Sequence, residues 1–154
     1  TRIKKAHPNI STISKKNMVK KIIVDLNVVL DVIENRQPHE KYSSMLIDSY
    51  FKKHVKLFFP AYGITTVHYI VAKHGGNSNA QKAVSWILQH FTIPTLKQKT
   101  FQTAQQFQME DFEDAVLIST AIETKIQYIA TRNLKDFLHS PIPAHTPEQL
   151  LVVL

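Results

Sequence analysis

Short apolar runs, rich in β-branched and aromatic residues, recur along the chain and predict β-strands. The run Lys21–Asp25 reads KIIVD, and Lys56–Phe59 reads KLFF before Pro60 ends it. Runs with so few polar interruptions are typical of strands that are covered on both faces of a parallel sheet. The predicted strands are residues 21–25, 56–59, 92–96, 127–131 and 144–146.

Between these runs, apolar residues recur every three or four positions, which is the spacing of amphipathic α-helices. The clearest helix is residues 111–125, where Ala115, Ile118, Ala121 and Ile122 fall on one predicted core face. The pair Gly75-Gly76 predicts a helix end. The predicted helices are residues 28–33, 40–52, 64–73, 79–90, 97–107, 111–125 and 148–154, with one further turn at 134–138.

This alternation of strands and helices predicts an α/β fold. We expect a three-layer α/β/α arrangement around a mostly parallel sheet of about five strands. A chain of 154 residues has the length of one domain and can bury a sizeable core. The active crevice of such folds lies at the carboxyl ends of the strands, so residues that follow strands are the first candidates for chemistry.

The positive charge is concentrated at one end of the chain. The formal net charge is +7, and residues 1–17 contribute five cations and no acid, which leaves the remainder at +2. We expect residues 1–17 to be a basic N-terminal extension, disordered or upstream of a natural start at Met18, and residues 18–154 to form the domain. A basic tail can hold nucleic acid or lipid loosely, although it is more often only solvated.

Composition excludes several kinds of site. The chain has no cysteine, which excludes disulfides, thiolate zinc sites and a cysteine nucleophile. Its three glycines cannot build a glycine-rich phosphate loop, and no two histidines have the i,i+4 spacing of a zinc-binding helix. Since no run approaches the ~20 apolar residues of a membrane span, we expect a cytoplasmic protein without a membrane partner.

Acidic residues are few, yet several fall where strands end. Asp25 closes the first strand, Asp111 and Asp114 begin a helix three residues apart, and Asp136 follows the fourth strand. Parallel strands share one carboxyl edge, so these segments can deliver carboxylates to a single crevice. A Mg²⁺ or Mn²⁺ ion would relieve the repulsion between them and could activate water against a phosphoryl group.

Ordinary structural roles explain part of the same pattern. Asp111 is a good helix N-cap, and acids in a first helical turn interact favourably with the helix dipole. Asp25 is harder to explain in this way, because it follows three apolar β-branched residues where an unpaired charge is costly. Asp31 and Glu34 are expected to be surface acids, although Asp31 could approach the crevice.

Four segments resemble motifs of the PIN-domain family, the fold of VapC-type toxins and related metal-dependent ribonucleases. Residues 23–31 (IVDLNVVLD) resemble its opening motif, and residues 111–121 (DFEDAVLISTA) resemble its third-acid helix. Residues 129–137 (IATRNLKDF) are similar to its fourth-acid loop, and residues 141–148 to its closing strand and last helix. The resemblance covers residues 19–154 and implies a PIN-like nuclease domain.

The resemblance implies roles for individual residues. Asp25, Asp114 and Asp136 would be catalytic, and together with Asp111 they would bind Mg²⁺ or Mn²⁺. Asn133 shares the fourth acidic position with Asp136. The implied substrate-binding or supporting residues are Asn27, Thr66, Thr131, Arg132 and Asn133.

One position departs from the family pattern. Many members have a Glu in the helix after the second strand, whereas residues 63–69 contain no acid and Thr66 takes that place. One metal ligand would therefore be missing, or replaced by a hydroxyl and water.

The resemblance implies a metal-dependent endoribonuclease that cleaves single-stranded RNA, as the toxin of a toxin–antitoxin pair. Arg132 and Lys135 could contact phosphate. One alternative is a degenerate, non-catalytic PIN domain that binds RNA or protein, which the missing Glu and the nearly neutral body favour. Another is a phosphatase or a flap-type DNA nuclease, although the chain has no room for the insertions that grip a duplex.

Protein partners are also expected. The resemblance implies an antitoxin protein and a homodimer. Two predicted helices carry more large apolar side chains than one core face needs, which indicates a partner surface. These side chains include Tyr42, Met45, Tyr50, Phe51 and Tyr69.

Overall fold

This computed structural model describes residues 18–154. They form a four-stranded parallel β-sheet with helices on both faces. The predicted extension over residues 1–17 lies outside the described residues. No helix in the described range is long and apolar enough to cross a membrane. The elements in chain order are β1 (Lys20–Val24), α1 (Leu26–Ile33), α2 (Glu40–Asp48), β2 (Val55–Phe58), α3 (Ala61–His90), α4 (Gln98–Gln105), α5 (Phe112–Glu123), β3 (Tyr128–Ala130), β4 (Ala144–His145) and α6 (Pro147–Val153), with 3-10 turns at Ser49–Phe51 and Leu134–Phe137.

The strand order is β2-β1-β3-β4, and every neighbouring pair is parallel. In the central strand β1, Ile22 pairs with Leu57 on one side and with Tyr128 on the other. The strand predicted over residues 92–96 is reduced to one bridge, between Thr92 and Phe58. Pro94 has no N–H to continue that ladder, so the sheet has four strands rather than about five.

Alternate residues of each strand enter different hydrophobic cores, as a sheet covered on both faces requires. In β1, Ile22 and Val24 join the core that includes residues of α1, α2, α3 and α6, whereas Ile23 packs with residues of α5. All three side chains are fully buried. Burial stabilises each of them by roughly 1.5–3 kcal/mol, so this short strand anchors both layers. The three-layer α/β/α prediction is confirmed.

The helix α5 is buried around most of its surface, since residues 115–121 are all buried. The prediction that Ile122 faces the core is wrong, because this side chain is 39% exposed. The other three residues of that predicted face, Ala115, Ile118 and Ala121, are buried as predicted, and Ile126 after the helix is buried as well.

The predicted helix end at Gly75-Gly76 is a kink inside the long helix α3. Gly76 has φ 86° and ψ 166°, a backbone conformation that side-chain-bearing residues rarely adopt. Two helical segments meet at this kink and the second takes a new direction, so the break agrees with the predicted helix end.

Candidate functional site

Asp25 lies where β1 ends, and its side chain caps the N-terminus of α1. One carboxylate oxygen accepts a hydrogen bond from the Leu26 N–H at 2.7 Å, and the other accepts one from the Thr131 hydroxyl at 2.8 Å. Burial raises the pKa of Asp25 above its usual range, and the nearby Asp111 and Asp136 charges add to the rise. The two donated hydrogen bonds act in the opposite direction by favouring the charged form.

The Thr131 hydroxyl is held in one orientation. Thr131 is fully buried just after β3, and its hydroxyl accepts a hydrogen bond from the Asn133 N–H at 3.0 Å while donating to Asp25. Because the accepted bond occupies a lone pair, the hydroxyl proton is directed at the Asp25 carboxylate. The contact places Thr131 beside a predicted metal ligand, and its supporting role stays a prediction.

Asp111 and Asp114 approach the same region from α5. Asp111 is the N-cap of this helix and accepts a hydrogen bond from the Glu113 N–H at 2.9 Å, so its capping role is present. The pKa of Asp114 is raised to about 7, first by burial and then by the charges of Asp25 and Asp111. Charges on β1 and α5 therefore act on one another, although the residues are far apart in sequence.

A cavity of about 360 Å³ joins these acids to the turn after β3. It is lined by Asp111, Asp114 and Asp136, together with Lys135. Asp136 rather than Asn133 lines the cavity from the loop that carries the fourth acidic position. The structure thus brings three of the predicted acids to one cavity, and the charge of Asp136 also raises the pKa of Asp25 and Asp114.

The acidic cluster fits a hydrated divalent ion. Burial and neighbouring acids raise the pKa values of Asp25, Glu113 and Asp114, so each gains from a nearby cation. Within residues 18–154, no three His, Asp or Glu side chains lie close enough to enclose an ion by themselves. Mg²⁺ usually keeps several waters and uses only one or two carboxylates, so this donor set suits it.

Tyr62 also belongs to the site, and the sequence analysis missed it. Its hydroxyl donates to the Glu113 carbonyl at 3.1 Å and so links the first turns of α3 and α5. Burial, followed by the charges of Asp25 and Glu113, raises its pKa, so the phenol stays protonated. The next residue, Gly63, allows α3 to pack closely on Phe59, because a Cβ there would lie 2.6 Å from the ring of Phe59. The sequence marks Tyr62 only as an aromatic residue in the first turn of the helix that follows the second strand.

The prediction that Asp31 is a surface acid is wrong. Asp31 is fully buried in α1, where the Arg132 Nε donates to it at 2.8 Å and the Arg132 Nη2 at 3.1 Å. The Ser43 hydroxyl of α2 donates at 3.2 Å, so α2 and the loop after β3 cover this face of α1. Arg132 is therefore engaged with Asp31, and Lys135 is the cation that lines the acidic cavity.

Two predicted supporting residues make no hydrogen bond to a carboxylate in the part of the chain that the structure describes. Asn27 lies partly exposed in the first turn of α1. The Thr66 hydroxyl donates to the Tyr62 carbonyl of its own helix at 3.3 Å. Their roles remain predictions.

The raised pKa of Asp114 predicts how stability depends on pH. The native carboxyl, with a pKa of about 7, keeps a proton that the unfolded one releases near its ordinary value of 3.8. Since the native state binds more protons between these values, this group makes the metal-free fold less stable as pH rises from 4 to 7. Thermal melts in EDTA should show a lower melting temperature at pH 8 than at pH 5.

The variant Asp114→Asn isolates this contribution from that of Asp25 and Glu113, whose pKa values are also raised. It should reduce the pH dependence in EDTA, and Mn²⁺ should reduce it in the wild type, because the ion favours the charged carboxylates. An unchanged pH profile in Asp114→Asn would show that other groups cause it.

Comparisons with known proteins identify the family and the fold. Residues 21–135 match the family model of the PIN domain. No curated protein has significant similarity to the sequence.

Solved structures share the fold at low sequence identity. VapC20 of Mycobacterium tuberculosis, a sarcin–ricin-loop-cleaving toxin, is 14% identical with a TM-score of 0.64, covering 79% of this chain and 95% of that chain. VapBC-1 from nontypeable Haemophilus influenzae is 10% identical with a TM-score of 0.63, covering 83% and 98%. A toxin–antitoxin complex from Klebsiella pneumoniae is 19% identical with a TM-score of 0.63, covering 82% and 97%. The motifs, the fold and the family match agree, and the chain belongs to the PIN-domain family.

Proposed function

We propose that this protein is a Mg²⁺- or Mn²⁺-dependent endoribonuclease that cleaves single-stranded RNA. The observation that carries the proposal is the convergence of acids from three separate segments at the carboxyl edge of the sheet. Asp25 and Asp136 both raise the pKa of Asp114, and Asp114 and Asp136 line one cavity. Lys135 alone cannot neutralise these clustered acids, so they favour a divalent ion, and such ions serve phosphodiester hydrolysis.

The residues of the site have separable roles in this proposal. Asp25, Asp111, Asp114 and Asp136 would hold the ion, one or two of them directly and the others through its water molecules. The ion would supply charge neutralisation at the phosphoryl group and activation of water. The Leu26 N–H and the Thr131 hydroxyl fix the direction of the Asp25 carboxylate. Lys135, which lines the cavity, would contact a phosphate of the substrate.

The comparisons favour RNA as the substrate over DNA and over small phosphate esters. VapC20, which shares the fold, is a sarcin–ricin-loop-cleaving toxin, and the motifs of this chain resemble those of VapC-type ribonucleases. Several other structures with this fold are VapBC toxin–antitoxin complexes. We therefore propose that this chain acts as the toxin of such a pair, with an antitoxin protein as its partner.

A homodimer is a further part of the proposal. Met45, Phe51 and Tyr69, which belong to the predicted partner surface, are 48%, 75% and 66% exposed. Exposed apolar surface of this kind often marks a contact with another chain, and a two-fold dimer would use the same surface on both copies. Light scattering of the isolated protein tests this point, and a strict monomer at high concentration would leave the surface to the antitoxin.

Cleavage assays on defined RNA test the proposed activity. The purified chain should cut a single-stranded RNA in the presence of Mn²⁺, leave a fully paired duplex largely intact, and lose activity in EDTA. A single-stranded DNA of the same sequence separates the RNA nuclease from the DNA nuclease. Intact RNA at all Mn²⁺ concentrations would contradict the proposal.

The second candidate is a PIN domain that binds RNA without cutting it. The Thr66 position favours this candidate, because its hydroxyl is bonded to its own helix where many family members supply a Glu. Under this alternative, RNA binding would be retained and no cleavage would appear at any metal concentration.

A further inference from the structure

The acidic cavity has an apolar portion that ion binding does not require. Phe107, Met109 and Ile118 line the same space of about 360 Å³ as the carboxylates. Phe107 and Met109 are only half-buried, because they pack against the neighbouring hydrophobic clusters on one side and border the cavity on the other. A hydrated ion gains nothing from such a surface, so a different part of the substrate is its natural occupant.

The groups around this apolar surface can both donate and accept hydrogen bonds. Gln108 and Ser140 line the cavity, and a side-chain amide and a hydroxyl offer both donors and acceptors. Gln108 has φ 50°, a left-handed conformation that is uncommon for residues other than glycine. Unusual backbone of this kind clusters at binding sites, where the surrounding structure maintains it.

We propose that this part of the cavity is a nucleobase subsite. One unpaired base beside the scissile phosphate stacks on Phe107 and contacts Met109, while Gln108 and Ser140 meet its polar edge. The inference rests on the proposed function, since it takes single-stranded RNA as the substrate and Lys135 as a phosphate contact. The volume falls within the range of about 300–1,000 Å³ that is usual for small-molecule sites.

The subsite gives a physical reason for a preference for single strands. Bases inside a duplex are stacked and paired, whereas bases in loops and single strands can be splayed out and stacked on aromatic side chains. Stacking on an aromatic ring is tolerant of sequence because every base has a flat face. The subsite therefore selects an unpaired base, and the polar groups beside it supply a weaker choice among bases.

Binding measurements with an abasic substrate test this subsite separately from catalysis. The protein carries Asp25→Asn to prevent cleavage, and fluorescence anisotropy in Mg²⁺ reports its affinity for a short labelled RNA. A set of RNAs then removes the base from one nucleotide at a time. We expect one position at which the loss weakens binding by about fivefold or more, the scale of one base–aromatic stack.

Variants assign that effect to the apolar surface. Adding Phe107→Ala should weaken binding of the intact RNA and abolish the penalty at the abasic position. Phe107→Leu keeps apolar volume without the ring and should act in the same direction if Phe107→Ala does not fold. Phe101→Ala removes an exposed ring of α4 that is outside the cavity lining, and it should leave the penalty unchanged.

The results of these binding measurements test the nucleobase subsite separately from the proposed nuclease activity. An abasic penalty that is the same in the Phe107 variants as in Phe101→Ala, or the absence of any RNA binding, would overturn the subsite. A penalty that depends on Phe107 supports it even if the wild-type chain cuts no RNA, in which case only the proposed activity fails.

Discussion

The variant Asp25→Asn is expected to lower metal-dependent RNA cleavage by at least about a thousandfold, on the scale of losing one catalytic group. The substitution removes the charge of the buried carboxylate at the end of β1. Asn is also a good helix N-cap, so the hydrogen bond from the Leu26 N–H is kept and the fold should persist. Initial rates of RNA cleavage in Mn²⁺ measure the effect.

Stability gives an independent check on the same variant. Because burial raises the pKa of Asp25, its charged form is unfavourable in the metal-free fold. The melting temperature of Asp25→Asn in EDTA should therefore be equal to or above that of the wild type. Glu148→Gln makes the same charge change at an exposed position of α6 and should leave cleavage unaffected. A marked loss of stability in Asp25→Asn would instead point to a structural role for Asp25.

The second large effect is expected on folding rather than on chemistry. Replacing Arg132 with Ala leaves Asp31 buried without its bidentate partner, and breaking such a pair costs about 3–5 kcal/mol of the free energy of unfolding. Denaturant unfolding monitored by circular dichroism measures this loss. The same substitution also frees the loop that carries Thr131, so the hydrogen bond to Asp25 should weaken.

A surface pair provides the matched control. Arg36 forms an ion pair with Glu34 at 2.6 Å, but both side chains are partly exposed. Removing the Arg36 side chain should cost no more than about 1 kcal/mol, since exposed ion pairs contribute little. Replacing both Asp31 and Arg132 by apolar residues of similar volume should recover most of the stability lost in Arg132→Ala. Equal losses for Arg36→Ala and Arg132→Ala would contradict the importance of the buried pair.

Much of the fold could be predicted because its strands are marked locally. The run KIIVD has an apolar, β-branched centre, and its Ile22, Ile23 and Val24 are buried on both faces of the sheet, as such a run indicates. The predicted strand at 92–96 failed because pairing depends on a neighbouring strand as well as on composition. Only Thr92 finds a partner before Pro94 removes the next donor.

The part of the candidate site that could be predicted consists of acidic residues that follow parallel strands. Acids at strand ends could be placed at one edge of the sheet, and Asp114 and Asp136 do line one cavity. The buried pair of Asp31 and Arg132 could not be paired from the sequence, because 101 residues separate its members. Tyr62 was missed for a similar reason, since its contact with Glu113 depends on how α3 and α5 pack.

The proposed divalent-ion site at the acidic cluster is tested most directly by locating the bound ion. Crystals grown with Mn²⁺ and measured for anomalous scattering would show the ion without reference to activity. If the acids bind a divalent ion, we expect a strong anomalous peak between Asp25 and Asp114, on the side where Asp136 lines the cavity. A peak elsewhere on the molecule, or no peak at these carboxylates at millimolar Mn²⁺ and neutral pH, would contradict it.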